Sequence, residues 1–302
     1  MKFGFTLPSG DARTAAETAA IAEQAGWDGF FVWEPVWGVD AWVCLAAAAM
    51  RTERIKLGTM LTPLSRMRPW KLASETATLD NLSGGRVILS VGLGALDSGF
   101  AEFGEVTDRR TRAELLDEGL AILTGLWAGQ PFSFEGKHYT VRPTEFMPPD
   151  PPVQQPRIPI WVVGAWGRLK SMARALRYDG LLPHVEAFTP ELVAEMRRYA
   201  NAERGPGAGP YDIVVEDETP ADRSAAAAKV APYAEAGATW WLELVLGAGR
   251  PRRGAGGSRP DRRAWDDRSV GQALVRAGVF SAGHEPFLRR LFTHAIARPV
   301  SV

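Results

Sequence analysis

A glutamate set among tryptophans is the feature of this 302-residue chain best suited to chemistry. Glu34 has Trp33, Trp37 and Trp42 as sequence neighbours. An apolar setting of that kind raises a carboxyl pKa toward the range useful for acid–base transfer. An ion pair with Arg66 or Arg68 is the competing use of the same side chain. His184, after a short apolar run, is a second candidate for proton transfer. Two glycine patterns also end apolar runs: Gly92-x-Gly94 and Val163-Gly164-Ala165-Trp166-Gly167, the second just ahead of a helix. Glycine lets a ligand approach the backbone, and free N–H groups at a helix start suit a phosphate. Arg168 adds a charge at that point. The 4 histidines never pair at ligand spacing and Cys44 is the only cysteine, so no dedicated metal site is expected.

These residues need strands to carry them. Short apolar runs end just before nearly every one: Lys2 to Pro8, Gly29 to Glu34, Ile55 to Leu61 and Arg86 to Gly92. Further runs follow at Ile160 to Gly164, Asp179 to Pro183, Tyr211 to Val215 and Thr239 to Glu243. Helical stretches separate them. The clearest begins at Pro69, repeats Leu72, Leu79 and Leu82 on one face, and stops at Gly84-Gly85. Strict alternation of this kind means right-handed βαβ units in a parallel sheet. Periodicity leaves a closed barrel and an open doubly wound sheet nearly level. A polar loop after Gly94 and a hairpin from Pro131 to Val141, turning at Glu135-Gly136, interrupt the alternation after the fourth strand.

The run Gly58-Thr59, Pro69, Leu79-Asp80-x-Leu-Ser83-Gly-Gly-Arg86 and Gly92-x-Gly94 resembles the bacterial luciferase-like family of flavin-dependent oxidoreductases. The likeness runs from Met1 to about Glu243 and then fades. It implies a (β/α)8 TIM barrel with its chemistry at the C-terminal ends of the strands. It further implies that Met60-Leu61 forms a bulge under a flavin ring, often through a non-proline cis peptide, with Thr59 as a polar contact. Gly92, Gly94, Gly164, Ala165 and Gly167 then hold the cofactor. The residues themselves, rather than the resemblance, make Glu34 and His184 the acid or base candidates and Trp33, Trp37 and Trp42 the lining of an apolar substrate pocket.

The implied reaction is a monooxygenation of a small hydrophobic substrate, using O2 and reduced FMN from a separate reductase. Hydride transfer with coenzyme F420 on the same fold is the alternative. Family members that oxidise alcohols with F420 commonly carry histidine where this chain has Glu34. A non-catalytic barrel is the third reading. A homodimer is expected by family analogy.

The whole-chain numbers narrow the partners. Thirty-five basic residues balance 35 acidic ones, which gives no bulk field to attract nucleic acid or anionic lipid. No apolar run approaches the roughly 20 residues of a membrane span, and a cytoplasmic protein is expected. Residues 1–246 read as the barrel domain. Residues 247–302 read as a divergent Arg/Gly-rich tail, partly disordered, with one plausible helix over Ser269 to Val279. A diverged and a frame-shifted C-terminus both fit its 11 arginines without a lysine over residues 249–302.

Overall fold

Each apolar run named above becomes a parallel strand in the computed structural model, which describes residues 1–7, 9–145 and 150–244. The tail and its expected helix lie outside the described residues. The strands are β1 (Lys2–Leu7), β2 (Gly29–Val32), β3 (Lys56–Thr59), β4 (Thr62–Pro63), β5 (Val87–Gly92), β6 (Phe132–Glu135), β7 (Thr140–Thr144), β8 (Ile160–Ala165), β9 (Gly180–His184), β10 (Asp212–Asp217) and β11 (Trp240–Glu243). The helices are α1 (Ala12–Gln24), α2 (Ala41–Ala49), α3 (Pro69–Ser83), α4 (Arg109–Ala128), α5 (Leu169–Ala175), α6 (Pro190–Arg204) and α7 (Arg223–Glu235). The order β3-β2-β1-β11-β10-β9-β8-β5 is closed by pairing of β3 with β5. That is an eight-stranded parallel barrel, with β4 appended to β5. β6 and β7 form the expected antiparallel hairpin outside it.

Alternation along each strand divides two cores. Phe5, Phe30, Leu57, Leu89, Val162 and Ile213 face outward under the helices. Phe31, Ile88, Trp161, Leu182, Val214, Trp240 and Leu242 fill the barrel. Trp161 lies 5.5 Å from Phe31 and 5.2 Å from Trp240, ring centre to ring centre, so the middle of the barrel is an aromatic plug. Glycines make room for it. A Cβ at Gly58 would stand 2.5 Å from the Ile88 carbonyl oxygen and 2.9 Å from the Phe31 ring. Backbone cannot yield as a side-chain tip can. Gly58→Ala is therefore expected to destabilise the fold by roughly 3 kcal/mol, the upper range of overpacking, read from the urea midpoint. An unchanged midpoint would mean that β3 and β5 separate without cost.

The turn from α3 into β5 explains the Leu-Asp-x-Leu-Ser-Gly-Gly-Arg signature physically. Gly84 (φ 66°) and Gly85 (φ 84°) take the left-handed conformation that ends the helix. Buried Asp80 accepts hydrogen bonds from the Gln154 backbone N–H (3.0 Å) and side-chain amide (2.7 Å), fixing the connector that leads to β8. Arg86 donates to the carbonyls of Ala49, Thr52, Ile55 and Ser83 and to the Thr52 hydroxyl, joining the end of α2 to the start of β3. Leu82, grouped by spacing with Leu72 and Leu79, is instead 48% exposed. Asp80 takes a buried place on that helix through its polar partners rather than through hydrophobicity. Among the described residues no helix is long and apolar enough to cross a membrane.

Candidate active site

The C-terminal mouth of the barrel is floored by residues one step above the aromatic plug. Met60 and Val163 pack on the plug and remain partly exposed. Leu61 leans against Gly92, where a Cβ would stand 2.8 Å from Val163 and 3.1 Å from Leu61. Gly92 thus makes space for that floor. The Met60–Leu61 peptide is cis, the form the resemblance implied at this point. Gly94 (φ 76°) turns the chain away between Pro63 and Phe100. Arg112 of α4 secures this turn by donating to Leu93 O (2.9 Å) and Gly94 O (3.2 Å), and it sits 5.3 Å from the centre of the Phe100 ring. The sequence reading missed Arg112. It is one of three arginines within residues 109–112, and only its helical phase separates it from its solvated neighbours.

Glu34 is enclosed, its side chain 8% exposed. It accepts a 2.5 Å hydrogen bond from the Thr62 hydroxyl, which lies 2.8 Å from the Thr59 hydroxyl. Residues 59 and 62 straddle Met60–Leu61, so this chain of oxygens braces the floor from behind. Thr59 is fully buried within it. Arg66, not Arg68, is the cation: it approaches Glu34 Oε1 at 3.6 Å and donates to Pro35 O at 2.8 Å. Burial pushes the Glu34 carboxyl up to about 7, against the Thr62 hydrogen bond, the Arg66 charge and the nearby Trp42 indole, which all pull it down. Asp40 adds a little repulsion in the upward direction. Trp42 Nε1 makes no hydrogen bond of ordinary geometry among the described residues.

The three tryptophans do not close a common wall around Glu34. Trp42 is buried, Trp33 is 45% exposed, and Trp37 is 80% exposed with its ring 6.2 Å from Phe103. Both Trp37 and Phe103 belong to loops, whose course the apolar pattern of strands does not fix.

At the end of β8, Gly164 serves packing: a Cβ there would meet Leu181 and Met172 within 3 Å. The Ala165 N–H is committed to Ser171 Oγ at 2.9 Å. Gly167 (φ 75°) opens onto free space, and Arg168 beside it is exposed with no ion pair among the described residues. His184 is exposed at the end of β9, paired in register with Ala165. Among the described residues no three His, Cys, Asp or Glu side chains group as metal ligands.

A closed parallel barrel with an open apolar floor at its C-terminal mouth is an enzyme scaffold of the (β/α)8 class. The model of the luciferase-like monooxygenases matches residues 1–288, and the chain belongs to that family. An F420-dependent glucose-6-phosphate dehydrogenase of Beutenbergia cavernae is 39% identical over 144 residues, 44% of this chain and 43% of that protein. The monooxygenase RslO1 from Streptomyces bottropensis superposes with a TM-score of 0.62 at 25% identity, over 78% of this chain and 77% of that one. The coenzyme F420 dependent tetrahydromethanopterin reductase from Methanopyrus kandleri gives 0.67 at 19% identity, over 80% and 92%, a likeness of fold alone. The chain spans about half the length of the curated relatives it matches, between 35% and 60%.

Proposed function

We propose that the protein is an oxidoreductase that holds a reduced flavin-type cofactor in the barrel mouth, with F420-dependent hydride transfer as the first reading. The observation that carries the proposal is the apolar, partly open floor of Met60, Leu61 and Val163, close-packed around Gly92. A flat conjugated ring fits such a floor. Gly167, with open space where a side chain would stand, and Arg168, which has no ion pair among the described residues, provide room and charge for the phosphate end. Glu34 acts through the floor it braces, and His184 and Trp33 stand at the rim. Trp42 backs Glu34 from within the core, and Trp37 lies out on its loop against Phe103. When bound, the cofactor supplies the two-electron chemistry that no side chain here offers.

F420 is placed first because the curated relative named above, from Beutenbergia cavernae, is an F420-dependent dehydrogenase. Reduced FMN with O2, acting on a small organic substrate, is the second reading, favoured by the likeness to RslO1 and by Glu34 in place of histidine. Either cofactor would come from a separate reductase, and a homodimer acting on a small molecule in the cytoplasm completes the proposal.

Anaerobic titration of the purified protein with reduced F420 and with reduced FMN tests it. Micromolar binding of F420, with FMN at least about tenfold weaker, is the expected result. The reverse order, followed by oxygen consumption on aeration, would establish the FMN reading. Binding of neither would leave a non-catalytic barrel.

A further inference from the structure

The carboxylates around the end of β10 are unequal. Asp217 faces outward and pairs with Lys229 of α7 at 2.6 Å. Glu243 accepts from the Thr219 N–H (2.8 Å), the Thr219 hydroxyl (3.0 Å) and the Trp241 indole (3.1 Å). Glu216, next to Asp217 but on the other face of the strand, has no hydrogen bond and no ion pair among the described residues. Its direction follows from its neighbours. Val214 belongs to the aromatic plug and Val215 to the outer core, so Glu216 points into the barrel, one step above Val214 and beside Leu242 in register. The residue keeps part of its surface open, as a group lining a recess does.

A carboxylate largely withdrawn from water and without partners is costly and is ordinarily removed or paired. Burial alone pushes Glu216 up to about 7, and no neighbouring charge contributes. The barrel order also places it opposite the floor. β10 is four strands from β3 in either direction around the ring, so Glu216 faces across the mouth toward Met60. A molecule resting on the floor would present its free side to this carboxylate.

We propose that Glu216 contacts the substrate directly, accepting a hydrogen bond from a hydroxyl or amino group of the molecule in the mouth. The assignment rests on the reading above that the mouth is the reaction site, and it names the substrate class as one with an O–H or N–H donor. A purely hydrocarbon substrate would leave Glu216 unpaired.

The test compares two probes of similar shape, cyclohexanol and cyclohexyl methyl ether, the second lacking the donor. Each is titrated into the cofactor-free protein and into the protein loaded with whichever reduced cofactor binds, reading the Trp240 indole N–H by NMR. Wild type should bind the alcohol roughly tenfold tighter than the ether. Glu216→Leu should abolish that preference with cofactor affinity unchanged, and Glu216→Gln, which keeps an acceptor oxygen, should retain part of it. Equal binding of the two probes to wild type would overturn the proposal, whether or not the leucine variant folds. So would a preference that survives in Glu216→Leu. Refusal of both cofactors would defeat the functional reading, while the probe comparison on the cofactor-free protein would still decide the role of Glu216.

Discussion

Arg86→Met will destabilise the protein by about 3–5 kcal/mol, the range for removing one partner of a buried charged network. The side chain is 7% exposed and supplies five hydrogen bonds that converge from α2, the α2–β3 connection and the α3 terminus. Methionine matches much of the volume but leaves the carbonyls of Ala49, Thr52 and Ile55 without their donor, and unsatisfied buried groups cost more than the bonds themselves return. Arg86→Lys keeps the charge yet cannot reach in several directions at once, because an ammonium lacks the planar fork. Its loss should be about half as large. Urea unfolding of both variants checks the order, and a lysine variant as stable as wild type would show that charge, not the fork, is what the site requires.

Arg86 also shows what the sequence disclosed and what it withheld. The eight barrel strands were legible because each is a short apolar run, most of them closed by glycine or proline, and burial on both faces demands that composition. Closure into a ring was not legible from periodicity, since an open sheet has the same pattern; the signature around Asp80 and Arg86 decided it through resemblance. The candidate site divides in the same way. Residues tied to strand ends, such as Met60, Leu61 and Gly92, fall together at the mouth as expected. Trp37 leaves it because loop direction depends on contacts such as that with Phe103, which have no period. Gly164 and Ala165 are spent on packing and on Ser171, a distinction set by which way one strand faces. Arg112 and Glu216 escaped notice for opposite reasons: one lies in a run of charge, and the other ends an otherwise ordinary apolar strand.

Glu34 carries the second large effect. If its oxygen braces Met60–Leu61 through Thr62 and Thr59, Glu34→Ala should weaken cofactor binding by roughly tenfold or more, the usual consequence of losing a supporting partner. Glu34→Gln retains an acceptor for the Thr62 hydroxyl and should stay within about threefold of wild type on the same reasoning. The pH dependence separates this role further. The folded-state carboxyl titrates near 7, above its ordinary 4.5, so its contribution to stability is complete below the unfolded value and is lost as pH rises through the folded one. Between those limits wild type should lose roughly 2–3 kcal/mol through this group. Glu34→Gln cannot titrate, so its stability should fall less steeply over the same interval and exceed that of wild type at pH 8. Thr62→Val removes the hydrogen bond that pulls the carboxyl down, and should move its titration above 7. Thermal melts across pH and cofactor titrations measure all three variants. A glutamine variant that binds cofactor normally yet turns over roughly a hundredfold more slowly would show that Glu34 moves the proton itself; normal turnover would leave it as the brace beneath the floor.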